Sequence, residues 1–328
     1  MAAATSQSSP IPFIDEYLSG VLTRADAPAA LLDACRYAAL GPGKRVRPLL
    51  AWRAAQAVGG LGESSLPAGA AVELVHAFSL VHDDLPALDN DDLRRGRPTL
   101  HRHAGEAMAI LAGDALLTYA LEHLATAHFT VKPPTQSFSR KVVGALAQPV
   151  TMAAEAAEEA CGEASVRCAL LLELSAATAK MIHGQVLDMA AEQGGGEYSL
   201  DHLRSIHANK TGALIRAACR MGAMCGLGRA EPDHPAVRAC SRFGEAAGLL
   251  FQVVDDLIDV TQTADVAGKR TGKDAQAGKL TYPGLLGLDG AKAEALRLRS
   301  EALEALAVLG PAAEGLREIA EQIAGRAT

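Results

Sequence analysis

A cluster of aspartates lies between residues 83 and 92, directly after an apolar run, and is followed at once by Arg94, Arg95 and Arg97. Carboxylate oxygens without thiolate partners suit Mg²⁺, which proteins commonly hold through one or two carboxylates together with substrate phosphates. A planar guanidinium binds phosphate oxygens in pairs. The stretch therefore indicates a site for a metal ion and a phosphate. Its aspartates are Asp83, Asp84, Asp89, Asp91 and Asp92.

A second group of aspartates, Asp255, Asp256 and Asp259, comes much later in the chain. In a helix, Asp255 and Asp259 are one turn apart on the same face, and Gln252 lies one turn before them. Carboxylates this close repel one another unless a cation neutralises them. Alone, the pattern is as typical of a solvated helix face as of a metal site. Together with the first group, it indicates the second half of one site.

Basic residues near glycines are candidate phosphate ligands. Lys44 and Arg47 follow Gly43 at the predicted start of a helix, where backbone N–H groups and the helix dipole also attract anions. Taken alone, this cluster fits an ordinary solvated loop better. Residues 268–279 are rich in glycine and cations and are predicted to close over bound phosphates as a lid.

The elements that must position these residues are predicted to be helices. Alanine and leucine dominate, while aromatic residues make up only 4% of the chain. This composition favours an all-α fold over a β-sandwich or barrel. Pro86 ends the helix that carries the first aspartates, because proline lacks an N–H and moves Leu85 out of the helical region. Asp83 then lies at a helix C-terminus, where the dipole opposes its charge and a cation is needed.

Apolar residues recur at helical spacing along the chain. Two helices are expected between residues 14 and 40, with a break at 25–28. The weakest pattern, at 126–165, predicts a peripheral helical excursion with loops. Further helices are expected at 49–58, 68–85, from 105 onward, 170–191, 199–226, around 248–260 and from 282 to 328.

Length and composition limit the class of protein. No linker divides the 328 residues, so we expect a single domain over 14–328 after a flexible N-terminus at 1–13. The net charge of -7 argues against nucleic acid as a partner. Without a long uncharged apolar run or a signal-peptide pattern, no stable membrane insertion is expected. The 6 cysteines form no C-x-x-C pairs, which predicts reduced core residues in a cytoplasmic protein.

Two acidic groups that face each other across a helical bundle are able to hold several magnesium ions around one diphosphate. The metals would stabilise the charge that develops on the departing diphosphate. Basic residues elsewhere would hold a second diphosphate without metal. This combination indicates that one allylic diphosphate ionises and that a second substrate captures its cation.

The order of these motifs resembles the short-chain trans-isoprenyl diphosphate synthase family over residues 14–325. Asp83-Asp84-Leu-Pro-Ala-Leu-Asp89, with the arginines after it, resembles the first aspartate-rich motif in its four-residue-spaced bacterial and plant form. Phe251-Gln-Val-Val-Asp255-Asp256-Leu-Ile-Asp259 resembles the second. The match extends to Gly43–Pro48, His76, Gly113-Asp114, Gly184–Asp188, Lys210–Leu214 and Gly278–Pro283.

The resemblance implies an isoprenoid-synthase-type bundle of antiparallel helices around a deep central cavity, usually as a homodimer. It implies about three Mg²⁺ ions per active site, held with the allylic diphosphate by six aspartates: Asp83, Asp84, Asp89, Asp255, Asp256 and Asp259. Further contacts to the allylic diphosphate would come from Arg94, Lys210 and Lys269. The residues that would hold isopentenyl diphosphate are Lys44, Arg47, His76 and Arg95, and Lys279 is also expected to bind substrate.

The same resemblance places Lys210, Thr211 and Gln252 near the developing cation. Attack by the isopentenyl double bond and loss of a proton then give a trans product that is longer by one isoprene unit. The departing diphosphate would be the general base. A terpene cyclase would be expected to lack the second motif and the isopentenyl-binding cations, and a non-catalytic regulatory subunit would be expected to have lost aspartates.

Product length is expected to depend on the apolar residues before Asp83. One helical turn rises about 5.4 Å, which is similar to an isoprene unit, so a bulky side chain four or five residues earlier forms a floor for the growing tail. Phe78 there favours the fifteen-carbon farnesyl product, made from dimethylallyl or geranyl diphosphate. Ser79 beside it leaves space and keeps the twenty-carbon geranylgeranyl product open.

Replacing Phe78 with alanine is expected to lengthen the product, because the substitution removes the floor of the tail cavity. Chromatography of the products of the purified protein and its Phe78→Ala variant measures this directly. A wild-type protein that makes mainly the twenty-carbon chain would contradict the farnesyl prediction.

Overall fold

A computed structural model describes residues 9–130, 148–194, 199–265 and 280–327. Apart from one short hairpin, the regular secondary structure of these residues is helical, which confirms the all-α prediction. The predicted lid at 268–279, with Lys269 and Lys279, lies outside the described residues, as do positions 1–8 of the predicted N-terminal segment.

The described α-helices are α1 (Ile11–Val21), α2 (Ala29–Ala39), α3 (Val46–Ala57), α4 (Leu66–Asp83), α5 (Leu100–Ala104), α6 (Glu106–Thr126), α7 (Gln148–Glu192), α8 (Leu200–His207), α9 (Ala213–Leu227), α10 (Pro235–Asp265), α11 (Tyr282–Ala305) and α12 (Glu314–Ala324). Strands β1 (Leu93–Arg94) and β2 (Arg97–Pro98) pair antiparallel. Short 3₁₀ turns span Gly62–Ser65, Ala307–Ala313 and Gly325–Ala327.

Helix boundaries follow the sequence signals where proline or glycine sets them. The break between α1 and α2 is confirmed, and α4 ends at Asp83, ahead of Pro86, as predicted. The prediction for α7 was too short, since this helix begins at Gln148 instead of residue 170. Helix α7 therefore includes residues 148–165 of the stretch 126–165. Residues 131–147 of that stretch lie outside the described residues.

The helix predicted at 199–226 is interrupted by a π-helical segment, Ala208–Gly212, between α8 and α9. Two glycines on neighbouring helices allow this segment to pack closely. A Cβ on Gly184 of α7 would lie 2.1 Å from the backbone N of Lys210, and one on Gly248 of α10 would lie 2.8 Å from the Cα of Gly212. Such single-turn π segments are frequent at functional sites. The π-helical segment is thus closely packed by α7 on one side and α10 on the other. The periodicity of apolar residues does not encode such packing, so it does not predict the interruption.

Helix α4 forms the centre of the bundle and packs against α3, α6 and α9. Most of its 18 residues are buried, as expected for a helix that is apolar on nearly all sides. By length and composition, Gly62–Asp83 and Glu106–Thr126 are each apolar enough to cross a membrane. The first is the core helix, with 72% of its most apolar window buried, whereas only 33% of that window in the second is buried.

All six cysteines are free thiols. The prediction of core positions is confirmed for Cys35, Cys219, Cys225 and Cys240, which are buried. It is wrong for Cys161 and Cys168, because α7 presents both at the surface.

A buried carboxylate joins α8 to α11. Glu294 of α11 accepts hydrogen bonds from Arg204 of α8 at 2.9 Å and from Arg297 Nε at 2.7 Å. Only 8% of its side chain is exposed. The Arg297 hydrogen bond, followed by that of Arg204, lowers the pKa of Glu294 from 4.5 to about 2. The ionised form therefore stabilises the fold at neutral pH.

Glu294→Gln is expected to lower the free energy of unfolding at pH 7 by about 2 kcal/mol, because two arginines lose their charged acceptor. In the wild type, the contribution of Glu294 is complete above pH 4.5 and disappears as the pH falls towards 2. Denaturant titration of both proteins across this range checks the slope. Glu301→Gln, at the half-exposed partner of Arg297 on the same helix, is the control and is expected to change little.

Candidate active site

Asp83 ends α4 and lines an apolar cavity of about 280 Å³. Burial raises the pKa of its carboxyl to about 6, and the neighbouring charges of Asp89 and Asp84 add to the rise. Lys210 and Arg94 oppose it. The chain then turns back, with Asp89 N–H donating to the Asp83 carbonyl at 2.8 Å. The first motif thus gathers negative charge that nearby cations compensate only in part.

Asp84 is engaged with Arg94 of the hairpin. The carboxylate of Asp84 is almost fully buried, and Arg94 donates to it from Nε at 2.7 Å and pairs through Nη2 at 2.6 Å. Asp91 lies 3.9 Å from the same guanidinium. Asp84, predicted to bind the metal, and Arg94, predicted to contact the allylic diphosphate, therefore form an ion pair with each other in this structure.

A stack of planar side chains anchors the hairpin that carries Arg94 and Arg95. The ring of Tyr37 on α2 lies 4.0 Å from that of His103, at an interplanar angle of 8°. Arg97 covers Tyr37, with Cζ 4.0 Å from the ring centroid, and the Tyr37 hydroxyl donates to the Pro98 carbonyl at 2.9 Å. The sequence pattern does not predict this hairpin, because its strands are only two residues long.

A second cavity, of about 680 Å³, is lined by all four residues predicted to hold isopentenyl diphosphate. Lys44, Arg47, His76 and Arg95 all line it. The Nε of Arg47 is buried without a hydrogen-bond partner, and burial, aided by Arg95, lowers the pKa of Arg47 to about 10. A cation in this environment favours an anion as a ligand.

His76 lies in the positive potential of this cavity, which affects the pKa of its imidazole. Burial first, and then the charges of Arg47, Arg95, Arg94 and Arg45, hold its pKa well below the usual range. The imidazole is therefore neutral at pH 7, and a neutral ring is able to donate one hydrogen bond to a phosphate oxygen. The cavity combines strong cations with a neutral donor.

Arg45 differs from its neighbours, because it holds the fold together. It caps α3 in the left-handed region at φ 48° and is buried. Its guanidinium donates to Asp15 at 2.7 Å, to Glu73 at 3.4 Å and to the Gly41 carbonyl at 2.9 Å. With its donors committed to these partners, Arg45 acts on the cavity through its charge alone.

The second acidic motif lies on α10, and its carboxylates have different surroundings. Asp255 lines the larger cavity, pairs with Arg326 at 3.3 Å, and has a pKa raised by burial. Asp256 accepts the backbone N–H of Tyr282 at 2.9 Å, which ties α10 to the start of α11. Asp259 is exposed. The sequence does not predict a role for Arg326, because no local signal links it to a motif so distant in the chain.

The smaller cavity adjoins the larger one, since Arg47, His76, Leu80 and Thr211 line both. Its walls come from α4, α7 and the π-helical segment, and include Phe78, Ser79, His82, Met181, Ile182, Val186 and Lys210. Lys210 donates to Asp188 of α7 at 2.6 Å, and Gln252 lines the larger cavity. The structure therefore places the predicted cation-side residues and the predicted tail-side residues on two adjoining cavities.

The donor set fits magnesium. Among the residues that the structure describes, no three His, Cys, Asp or Glu side chains converge into a closed metal cage. Mg²⁺ does not need one, because it keeps several waters and uses one or two carboxylates together with substrate phosphates. Asp83 and Asp255 offer hard oxygens, and burial raises the pKa of both. A divalent cation would stabilise their ionised forms.

The sequence profile described as Polyprenyl synthetase matches residues 28–307. "Geranylgeranyl pyrophosphate synthase 9, chloroplastic" of Arabidopsis thaliana is 40% identical over 301 residues, covering 91% of this chain and 75% of the relative. The corresponding chloroplastic enzyme of Catharanthus roseus is 40% identical over 284 residues, covering 87% of this chain and 70% of the relative.

A crystal structure named as an FPP/GFPP synthase from Zymomonas mobilis superposes with a TM-score of 0.74 at 32% identity, covering 95% of each chain. This similarity confirms the predicted isoprenoid-synthase fold. The predicted cytoplasmic location is wrong by the same comparisons, since curated relatives at about 40% identity are named chloroplastic. That prediction was based on composition and cysteine usage, and neither property distinguishes one reducing compartment from another.

Gly184→Ala is expected to weaken the binding of magnesium pyrophosphate by about tenfold or more, because the new methyl would displace the backbone that presents Lys210 and Thr211. Calorimetric titration measures the affinity. Gly20→Ala in α1, where a Cβ has open space, is the matched control and is expected to bind like the wild type. Equal affinity in both variants would contradict this positional role of the π-helical segment.

Proposed function

This chain belongs to the polyprenyl synthetase family and is a prenyltransferase, and on that premise we propose that it makes geranylgeranyl diphosphate. It would do so by adding isopentenyl diphosphate to shorter allylic diphosphates. The carrying observation is the pair of adjoining cavities, one lined by cations and the other mainly apolar, with Asp83 lining the apolar one. The names of the curated plant relatives support the twenty-carbon product.

We assign isopentenyl diphosphate to the cationic end of the larger cavity. Arg47 would donate its buried Nε to a phosphate oxygen, and His76 would donate as a neutral ring. Lys44 and Arg95 are exposed at the rim and would complete the contacts. An incoming diphosphate gains from this cluster because its charge offsets a positive potential that the protein leaves uncompensated.

We assign the allylic diphosphate to the space between the two acidic motifs. Asp83, Asp84 and Asp89 from the first motif, and Asp255, Asp256 and Asp259 from the second, would hold the magnesium ions. Bound Mg²⁺ supplies electrophilic stabilisation of the charge that develops on the departing diphosphate. Arg94 and Lys210 would add contacts to the same group, and Lys269 and Lys279, outside the described residues, remain expected ligands.

Lys210, Thr211 and Gln252 would act beside the allylic carbon. Lys210 and Thr211 lie on the π-helical segment, so their backbone is fixed by α7 and α10 instead of by a regular helical turn. The apolar walls below would exclude water and so protect the cation from hydrolysis. The departing diphosphate would take the proton that is lost after bond formation, so the site needs no side-chain base.

We also propose a homodimer that uses the outer faces of α6 and α7. Large apolar side chains are exposed along both helices, at Ile110 and Leu111 of α6 and at Leu172 of α7. Patches of this kind typically mark interaction sites. A second copy covering α6 would also explain why so apolar a helix is largely unburied in one chain.

Farnesyl diphosphate is the second candidate product, and one observation favours it. Phe78 lines the apolar cavity five residues before Asp83, and its ring is only 8% exposed. Such a ring would stop a growing chain early. Ser79 lines the same cavity, with its hydroxyl turned back to the His76 carbonyl at 3.0 Å. A longer product would occupy the space beside Ser79.

The purified protein, with Mg²⁺, isopentenyl diphosphate and dimethylallyl, geranyl or farnesyl diphosphate, is expected to release mainly the twenty-carbon product. Product chromatography with each starter measures this. If farnesyl diphosphate accumulates and is not extended, the second candidate holds instead. Failure to consume isopentenyl diphosphate with any starter would contradict a catalytic role and favour a non-catalytic subunit.

Asp83→Asn is expected to lower turnover by about a hundredfold or more, since the site loses charge that a metal ion requires. Asp92→Asn in the same motif is the matched control. Asp92 is mainly exposed and pairs with Arg102 at 2.5 Å, away from both cavities, so its loss is expected to leave turnover nearly unchanged.

A further inference from the structure

We infer that His82 is a positioning residue for product length, which acts by holding the ring of Phe78 in place across the apolar cavity. The inference deepens the proposed function and rests on it. His82 and Phe78 are one helical turn apart on α4, so their side chains point the same way. The ring centroids lie 5.0 Å apart at an interplanar angle of 76°.

The imidazole is itself held from the side of α6. His82 Nε2 lies 3.2 Å from the Ile110 carbonyl, and its side chain is 25% exposed. A Cβ on Gly113 would lie 2.2 Å from His82 Nε2, which is closer than real atoms approach. The ring therefore occupies a notch on α6 that only glycine leaves open at this position.

The imidazole stands between α6 and the cavity. It lines that cavity together with Phe78, Met181, Ile182 and Val186. The other ionisable group beside it, Asp114, is 3.9 Å away and largely exposed, so it does not fix the ring. The carbonyl contact on one side and the edge-to-face contact with Phe78 on the other determine where the imidazole lies.

Edge-to-face packing gives the floor a defined position. Aromatic pairs prefer this geometry, and each ring limits the tilt of the other. Without the imidazole, the Phe78 ring would be free to move into the vacated notch, and the space beneath it would open to the growing tail. A methyl on Gly113 would have the opposite effect, because it would push the imidazole towards the cavity.

Product chromatography of three single variants tests this. His82→Ala is expected to raise the ratio of longer to shorter products by about tenfold, the discrimination that roughly one methylene of pocket space provides. His82→Phe keeps a planar ring and is expected to retain the wild-type lengths. Gly113→Ala is expected to shift products towards shorter chains. If His82→Ala does not fold, this variant still tests the position of the His82 imidazole.

The double variant Phe78→Ala/His82→Ala separates positioning from direct contact. If His82 acts through Phe78, the double variant gives the same product lengths as Phe78→Ala alone. Additive lengthening would overturn the positioning role. Unchanged product lengths in an active His82→Ala or Gly113→Ala protein would also overturn it. In both cases, turnover of isopentenyl diphosphate by the wild-type protein would leave the proposed function standing. A wild-type protein that consumes no isopentenyl diphosphate would overturn both.

Discussion

Charges of opposite sign line two adjoining cavities without fully neutralising each other, and the packing of the surrounding helices holds that arrangement in place. Arg47 has a buried Nε without a partner, and Asp83 and Asp255 have raised pKa values. Burying such groups with incomplete pairing is costly. In the proposed function, diphosphate and metal ions would supply the missing partners on binding. Burial, together with the surrounding arginines, keeps His76 neutral.

Close helix packing sets where these charges lie. Gly184 and Gly248 let α7 and α10 approach the π-helical segment, so that Thr211 lines both cavities and Lys210 lines the smaller one. The stack on Tyr37 holds the hairpin arginines in a comparable way. Rigid elements of this kind position reacting groups more precisely than mobile loops do.

In the proposed function, one helix carries both the first metal motif and the residues that limit product length. Asp83 ends α4, and Phe78 and Ser79 lie roughly one turn before it. The distance from the diphosphate to the floor of the cavity would then be set by the rise per residue of this helix. A substitution at the floor would alter chain length without altering the metal site.

The sequence by itself determined the all-α fold, the end of α4 at Asp83 and both acidic motifs, because proline, apolar periodicity and charge spacing act locally. Only the tertiary structure decided that Arg326 pairs with Asp255, that Arg45 is committed to the fold, and that a π-helical segment breaks the predicted helix at 199–226. These features depend on contacts between residues far apart in the chain. Local patterns carry no record of such contacts, so no spacing rule could have supplied them.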